Sequence, residues 1–224
     1  VGYPKDVEEV YFGPGGILSS AGAGTYLIDM TTTSPKLSER IYAEAKPRGI
    51  SALDAPVSGG DSGAKAGTLS IMVGGDREAF DACQDVFAAM GTNIIYEGGA
   101  GKGQHTKMAN QIALAGAVAS VSEAIAYARR TGLDVETMLA SISKGAAGSW
   151  QMTNNAPKMV AGDMAPGFFI KHFIKDMAIA DEEAKAAGLT MPVLEEVLEM
   201  YRELDRRGEG DLGTQAVIHY FDEK

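Results

Sequence analysis

Two short stretches of the chain carry side chains whose types and spacing could do chemistry. In "GKGQHTKMANQ", Gly101 to Gln111, Lys107 stands three residues before Asn110 and four before Gln111, so the three share one face of a helix. Near a helix N-terminus the macrodipole is positive. That disfavours the ammonium form of a lysine and suits it to trading a proton at neutral pH, although spacing alone also admits an exposed charge on a solvated turn. In "DAPVSGG", Asp54 to Gly60, a strand-like run ends on Ser58, Gly59 and Gly60. Glycines lack a Cβ, so the backbone N–H groups of such a turn can approach an anion closely. The turn could cradle a phosphate, present a nucleophile, clamp a substrate or serve only as a loop.

Spacing rules remove several of these chemistries. No Gly-Lys pair follows Gly59 or Gly60 at the offset of a Gly-x-x-x-x-Gly-Lys-Ser/Thr phosphate loop. "GKGQHT" follows a strand and opens a helix as a dinucleotide fingerprint does, but Thr106 stands where the third glycine belongs. Pro56 occupies the first glycine position of a Gly-x-Ser-x-Gly elbow around Ser58. Ser-x-x-Lys occurs at Ser62 to Lys65 and again at Ser141 to Lys144, each time without companion motifs. His105, His172 and His219 never fall at ligand spacing and no carboxylate cluster does, so no metal site is expected. Cys83 reads as a core helix residue.

A scaffold must position these stretches. Residues 1–100 alternate strand and helix patterns: a helix near Asp6 to Tyr11, a strand at Thr25 to Asp29, and a helix capped by Ser34, with Pro35 at its first position and Leu37, Ile41 and Ala45 on one face. A strand at Ile50 to Val57 and another at Thr68 to Gly75 follow. Asp76 then caps a helix carrying Phe80, Cys83, Phe87 and Met90 at helical spacing, and Asn93 to Gly99 closes the set as a strand. Such alternation predicts a largely parallel sheet with helices on its faces. From Gly101 the strand signals stop. Gln104 to Thr131 reads as one helix, about 40 Å long at ~1.5 Å per residue and so fit to bridge two domains. Helices are predicted beyond it at Asp134 to Ser143, Gln151 to Val160, Ile170 to Ala187, Pro192 to Arg207 and Asp211 to Phe221.

With 224 residues, 45% of them hydrophobic, the chain can bury the core of one large domain or two modest ones. A net charge of −10, with the Lys and Arg scattered, argues against a nucleic-acid partner. A single cysteine forbids an internal disulfide and suits a reducing compartment. "VGYPKDVEEVYFG" at the start has neither the basic nor the apolar region of a signal peptide. The longest nearly uncharged apolar run, Ile112 to Val121, is short of the ~20 residues of a membrane span, so a soluble, cytoplasmic chain without a membrane partner is expected.

These motifs together resemble the β-hydroxyacid dehydrogenases, the family of 3-hydroxyisobutyrate dehydrogenase and tartronate semialdehyde reductase. "DMTTTSP", Asp29 to Pro35, is similar to the family's segment beside the nicotinamide half of the cofactor, and "DAPVSGG" to its substrate-binding signature. "GKGQHTKMANQ" looks like the Gly-x-Gly-x-x-x-Lys-x-x-Asn catalytic helix, and "PGFFIKHFIKDMAIA", Pro166 to Ala180, like the later Lys-Asp motif. The resemblance begins beyond the family's opening Gly-x-Gly-x-x-Gly turn and so implies upstream residues, roughly two βα units of ~30 each.

For the fold, the resemblance implies the remainder of a Rossmann-type parallel-sheet domain followed by an all-α domain entered by a long interdomain helix. Residues 1–100 would be the C-terminal part of the dinucleotide-binding domain and 101–224 a helical substrate and dimerisation domain. For function, it implies an oxidoreductase using NAD or NADP on a small carboxylate-bearing substrate, a β-hydroxy acid or semialdehyde of the 3-hydroxyisobutyrate or 2-hydroxy-3-oxopropionate type, acting as a homodimer or homotetramer. Lys107 then becomes the acid/base and Asn110 a hydrogen-bond partner of the substrate. Ser58, Gly59 and Gly60 bind the substrate carboxylate. Thr31 and Thr32 sit by the cofactor, Lys175 reaches the nicotinamide region, and Asp176 has a structural pairing role. Trp150, Phe169 and His172 are further candidates for the pocket lining. 6-Phosphogluconate dehydrogenase shares the architecture, but its sugar phosphate needs extra cations, and Asp61 follows the turn here. Imine reductases share the fold and usually replace the lysine. A non-catalytic helical dimerisation or binding module is the reading from another class if the chain is this short. The choice between NAD and NADP lies with residues after a strand upstream of Val1.

Overall fold

Helical and strand periodicities turn into elements largely where the side chains place them in the computed structural model, which describes residues 1–222. Two compact units result, Val1–Ala109 and the residues from Asn110 onward. The first unit contains α1 (Pro4–Phe12), α2 (Ile17–Ser20), β1 (Tyr26–Asp29), α3 (Pro35–Ala45), β2 (Ser51–Asp54), β3 (Val57–Ser58), α4 (Gly60–Ala66), β4 (Leu69–Gly74), α5 (Arg77–Ala82), α6 (Gln84–Ala88) and β5 (Gly91–Gly98). Ser34 Oγ accepts from Leu37 N at 3.1 Å and Pro35 opens the helix, so α3 starts on the predicted cap.

The strand order is β1-β2-β4-β3, with β5 also paired to β4. β1 and β2 run parallel from Tyr26↔Ser51 to Asp29↔Asp54, and β4 and β5 run parallel from Leu69↔Gly91 to Gly74↔Gly98. The sheet is largely parallel, as alternation predicts, but between these Rossmann-like pairs the direction reverses: β2 meets β4 antiparallel at Asp54↔Gly74, and β3 pairs antiparallel with β4 at Val57↔Ile71. Ile50 to Val57 is therefore not one strand. Pro56 has no N–H for a ladder and ends it, and the chain folds back on β4 through the short α4 instead of crossing over the sheet.

Successive strand residues face opposite sides. Ala52 accordingly packs with Val7, Tyr11, Leu27 and Ile41 among α1 to α3, while its neighbour Leu53 packs with Ile71, Val73, Phe80 and Phe87 on the side of α5 and α6. The stripe from Phe80 to Phe87 is carried by two helices rather than one, because the chain leaves the α region at Cys83. Asp76 occupies the cap position of α5 without capping it. Its carboxylate instead accepts from Tyr42 Oη at 2.7 Å and pairs with Lys46 at 3.3 Å.

α7 (Lys102–Thr131) is one helix of 30 residues that starts in the first unit and continues into the second. By length and composition it could cross a membrane, and its Val118, Val121 and Ile125 are buried in the protein. The second unit adds α8 (Val135–Ile142), α9 (Trp150–Asn154), α10 (Ala156–Ala161), α11 (Ile170–Ala186), α12 (Pro192–Arg206) and α13 (His219–Asp222). The helix predicted over Gln151 to Val160 splits at Asn155, since Pro157 offers no N–H to continue the ladder. Asp211 to Phe221 is a 3-10 turn over Thr214–Ile218 followed by α13, because Gly213 N and Thr214 N already donate to Met164 O and Phe168 O. Tyr201 of α12 anchors this unit: its ring meets Phe173 edge-on at 5.1 Å, and its Oη donates to Thr214 O at 2.6 Å.

Candidate active site

The N-terminus of α7 is seated on the ends of β2 and β4. Asp54, the last residue of β2 and only 4% exposed, accepts from Gly101 N at 2.8 Å and Gln104 N at 2.9 Å. First-turn amides have no partner within their helix, and the positive end of the helix favours a carboxylate there. Burial, the larger effect, pushes the Asp54 carboxyl above the usual carboxylate range, and these amides pull it back. Gly101 adopts φ 81°, which glycine tolerates. A Cβ on Gly103 would lie 2.3 Å from Met72 O and 2.7 Å from Asp54 O, so only a glycine lets the helix approach this closely. The glycines of "GKG" thus serve packing. Asp54→Asn would turn an amide NH2 towards one of the two backbone donors, and a loss of ~1–3 kcal/mol is expected from the urea midpoint. A change below ~0.5 kcal/mol would show that the anchor does not matter.

One turn into the helix, the fully buried Gln104 reaches the loop after β1. Its Oε1 accepts from Thr33 N at 3.1 Å and its Nε2 donates to Thr31 O at 2.8 Å. From the other side Asp29 Oδ1 accepts from Thr31 N and Thr31 Oγ1, at 3.0 and 2.6 Å. The loop holding the half-buried Thr31 and Thr32 is pinned at both ends. It lies at the carboxyl edge of the paired β1 and β2, the edge where open α/β sheets take nucleotide ligands. A pinned, hydroxyl-bearing loop there can hydrogen-bond a nucleotide.

Lys107 is buried, 7% exposed, and not on a solvated turn. Its Nζ donates to Val57 O at 2.8 Å, which brings the ammonium to the residue before Ser58. Ser58 ends β3, and Gly59 and Gly60 follow at φ 134° and 62°, conformations that favour glycine. Their stretch continues as α4 rather than as a loop. Lys65 pairs with Asp61 at 2.6 Å on the exposed surface of α4, away from any catalytic role.

In the second unit, Asn110 lies one turn beyond Lys107 along α7 and donates through Nδ2 to Gln111 Oε1 at 2.7 Å. Gln111 Nε2 donates to Asp176 Oδ2 at 2.6 Å, and Lys175 Nζ lies 2.9 Å from Asp176 Oδ1. Asn110 and Lys175 are thus joined by a buried chain of polar groups. Phe169 and His172 stack edge to face at 5.6 Å, and burial, then Lys175 and Lys171, hold the His172 imidazole below its ordinary value. Trp150 is not gathered with them and is 64% exposed. Among the described residues no cluster of His, Cys, Asp or Glu is placed to hold a metal ion. Spacing rules pass over Asp54, Gln104 and the Gln111–Asp176 pair, whose partners lie 47 to 73 residues away.

Comparison with known proteins identifies the family. Residues 101–221 match the family model described as NAD-binding of NADP-dependent 3-hydroxyisobutyrate dehydrogenase, and residues 1–98 match that of the NAD binding domain of 6-phosphogluconate dehydrogenase. The chain is 56% identical to the uncharacterized oxidoreductase YkwC of Bacillus subtilis, over 97% of this chain and 75% of that protein. To the 2-hydroxy-3-oxopropionate reductase of Escherichia coli it is 36% identical, over 95% of this chain and 73% of that one. The 3-hydroxyisobutyrate dehydrogenase of Mycobacterium tuberculosis, solved with L-serine, superposes with a TM-score of 0.89 at 31% identity, covering 98% of this chain and 76% of that one. With the Rossmann-like unit, the long α7 and the helical unit in the same order, the chain belongs to the 3-hydroxyisobutyrate dehydrogenase family of NAD(P)-dependent β-hydroxyacid dehydrogenases.

Proposed function

We propose that the enzyme interconverts a small β-hydroxy acid and its semialdehyde, of the 3-hydroxyisobutyrate or 2-hydroxy-3-oxopropionate type, with Lys107 as the acid/base. The observation that carries this reading is the buried Lys107 amino group, hydrogen-bonded to Val57 O at the entrance to the Ser58-Gly59-Gly60 turn. When bound, the nicotinamide cofactor supplies the hydride exchange. The Ser58 hydroxyl and the amides of Gly59 and Gly60 hold the substrate carboxylate. Lys107 takes the hydroxyl proton in oxidation and returns it to the carbonyl oxygen in reduction. Asn110 holds that same oxygen, while Thr31, Thr32 and Lys175 border the nicotinamide.

In this proposal residues 1–100 are the C-terminal part of the dinucleotide-binding domain and 101–224 form the substrate and dimerisation domain, in a cytoplasmic homodimer or homotetramer. α8 has no buried residue, and Leu133 and Trp150 in the same unit are exposed, apolar surface that such an assembly would cover. The test is a screen of the full-length enzyme with NAD and NADP against 3-hydroxyisobutyrate, L-serine, 2-hydroxy-3-oxopropionate and 6-phosphogluconate. Turnover of a three- or four-carbon acid is expected. A higher kcat/KM for 6-phosphogluconate would overturn the substrate class; the lysine that follows the turn, Lys65, is already paired with Asp61.

A further inference from the structure

The polar chain through Gln111 has a direction. Paired with the Lys175 ammonium, the Asp176 carboxylate is an acceptor only. It therefore requires the NH2 group of Gln111, whose Nε2 stands 2.6 Å away. The carbonyl of Gln111 is then turned to Asn110, and Asn110 must answer with its own NH2, at 2.7 Å. Gln111 and Asp176 are both almost wholly buried, at 1% and 2% exposure, so water does not compete for these groups. An amide has two interchangeable-looking ends, and here a charge two residues along the network decides which end goes where.

We infer that Asp176, acting through Gln111, is a positioning residue that sets the amide polarity of Asn110: one N–H of its NH2 is committed to the network, and the other is left for the substrate oxygen. An N–H donor holds the substrate oxygen both as hydroxyl and as carbonyl and leaves its proton to Lys107, and the same carboxylate holds Lys175 in place. Cutting the chain at Gln111 frees the Asn110 amide to flip without disturbing the Lys175–Asp176 pair. The inference rests on the reading of Asn110 as a substrate contact.

A double-mutant cycle tests it, measured as kcat/KM for 3-hydroxyisobutyrate and for L-serine in the full-length enzyme. Gln111→Leu is expected to lower kcat/KM about tenfold in the parent and less than about twofold in the Asn110→Ala background, with the KM for the dinucleotide unchanged in both. Asp176→Asn, which keeps volume but removes the acceptor-only end, should show the same dependence on Asn110. Should Gln111→Leu fail to fold, Gln111→Met and Asp176→Asn carry the cycle. Equal losses with and without the Asn110 side chain would overturn the inference and leave Asn110 a substrate contact. An Asn110→Ala enzyme as active as the parent would overturn both. Independently of turnover, the Asn110 side-chain amide resonance of the 15N-labelled protein should shift in Asp176→Asn, and an unchanged resonance would sink the coupling.

Discussion

Replacing Lys107 by alanine in the full-length enzyme is expected to lower kcat by ~10²–10⁴ while the dinucleotide dissociation constant stays nearly constant. A positioned proton donor or acceptor contributes about that much, and the cofactor carries the rest of the chemistry. Alanine also leaves Val57 O without its donor in a buried setting, which adds a stability loss of about 1 kcal/mol. Lys107→Arg separates the two effects. Arginine retains a cation and donors for Val57 O but does not deprotonate, so it should recover stability and not activity. Turnover of Lys107→Ala within a few-fold of the parent, or an active Lys107→Arg, would remove Lys107 from the proton transfer.

The second large effect concerns one residue of α7 that bears no functional group. Gly103→Ala would drive a Cβ to 2.3 Å from Met72 O, 2.7 Å from Asp54 O and 2.9 Å from Asp54 Oδ2. Two of these are main-chain oxygens on strands, and they cannot rotate aside. A destabilisation of about 3 kcal/mol or more is expected, the upper end for overpacking, together with a loss of activity as the first turn carrying Gln104 and Lys107 lifts off the sheet. Gly116→Ala on the same helix provides the contrast. Its Cβ would make an ordinary 3.6 Å contact with Val193 Cγ1, and the helix would gain about 0.5–1 kcal/mol from alanine's lower entropy cost. Equal melting shifts for the two variants would refute the packing argument.

What could be read from the sequence was what local chemistry decides. Ser34 with Pro35 starts α3, the spacing of Lys107, Asn110 and Gln111 puts them on α7, and the alternation in the first hundred or so residues yields an α/β unit. What could not be read depends on partners distant in the chain. Nothing near Asp76 shows that Tyr42 and Lys46 claim its carboxylate, and nothing near Asp54 shows that it will cap a helix almost fifty residues later. The antiparallel return of β3 was hidden because Ile50 to Val57 is strand-like on both sides of Pro56, where periodicity sees a single strand. The burial of Lys107 was likewise out of reach, since helical spacing assigns residues to a face and not to a depth. In the candidate site, residue types were legible and their supports were not.

One consequence follows from where the groups are mounted. Lys107, the proposed acid/base, stands on a helix clamped by Asp54, Gln104 and a glycine that admits no substitute, whereas the Ser58-Gly59-Gly60 turn runs straight into α4, a short helix closed by an exposed Lys65–Asp61 pair. Mutational tolerance is therefore divided between them. In the proposed mechanism, drift in α4 reshapes which acid is accepted without unseating the proton carrier, so a combinatorial library over Asp61 to Ala66 is the place to search for new substrates, and the "GKGQ" segment is the place to leave untouched.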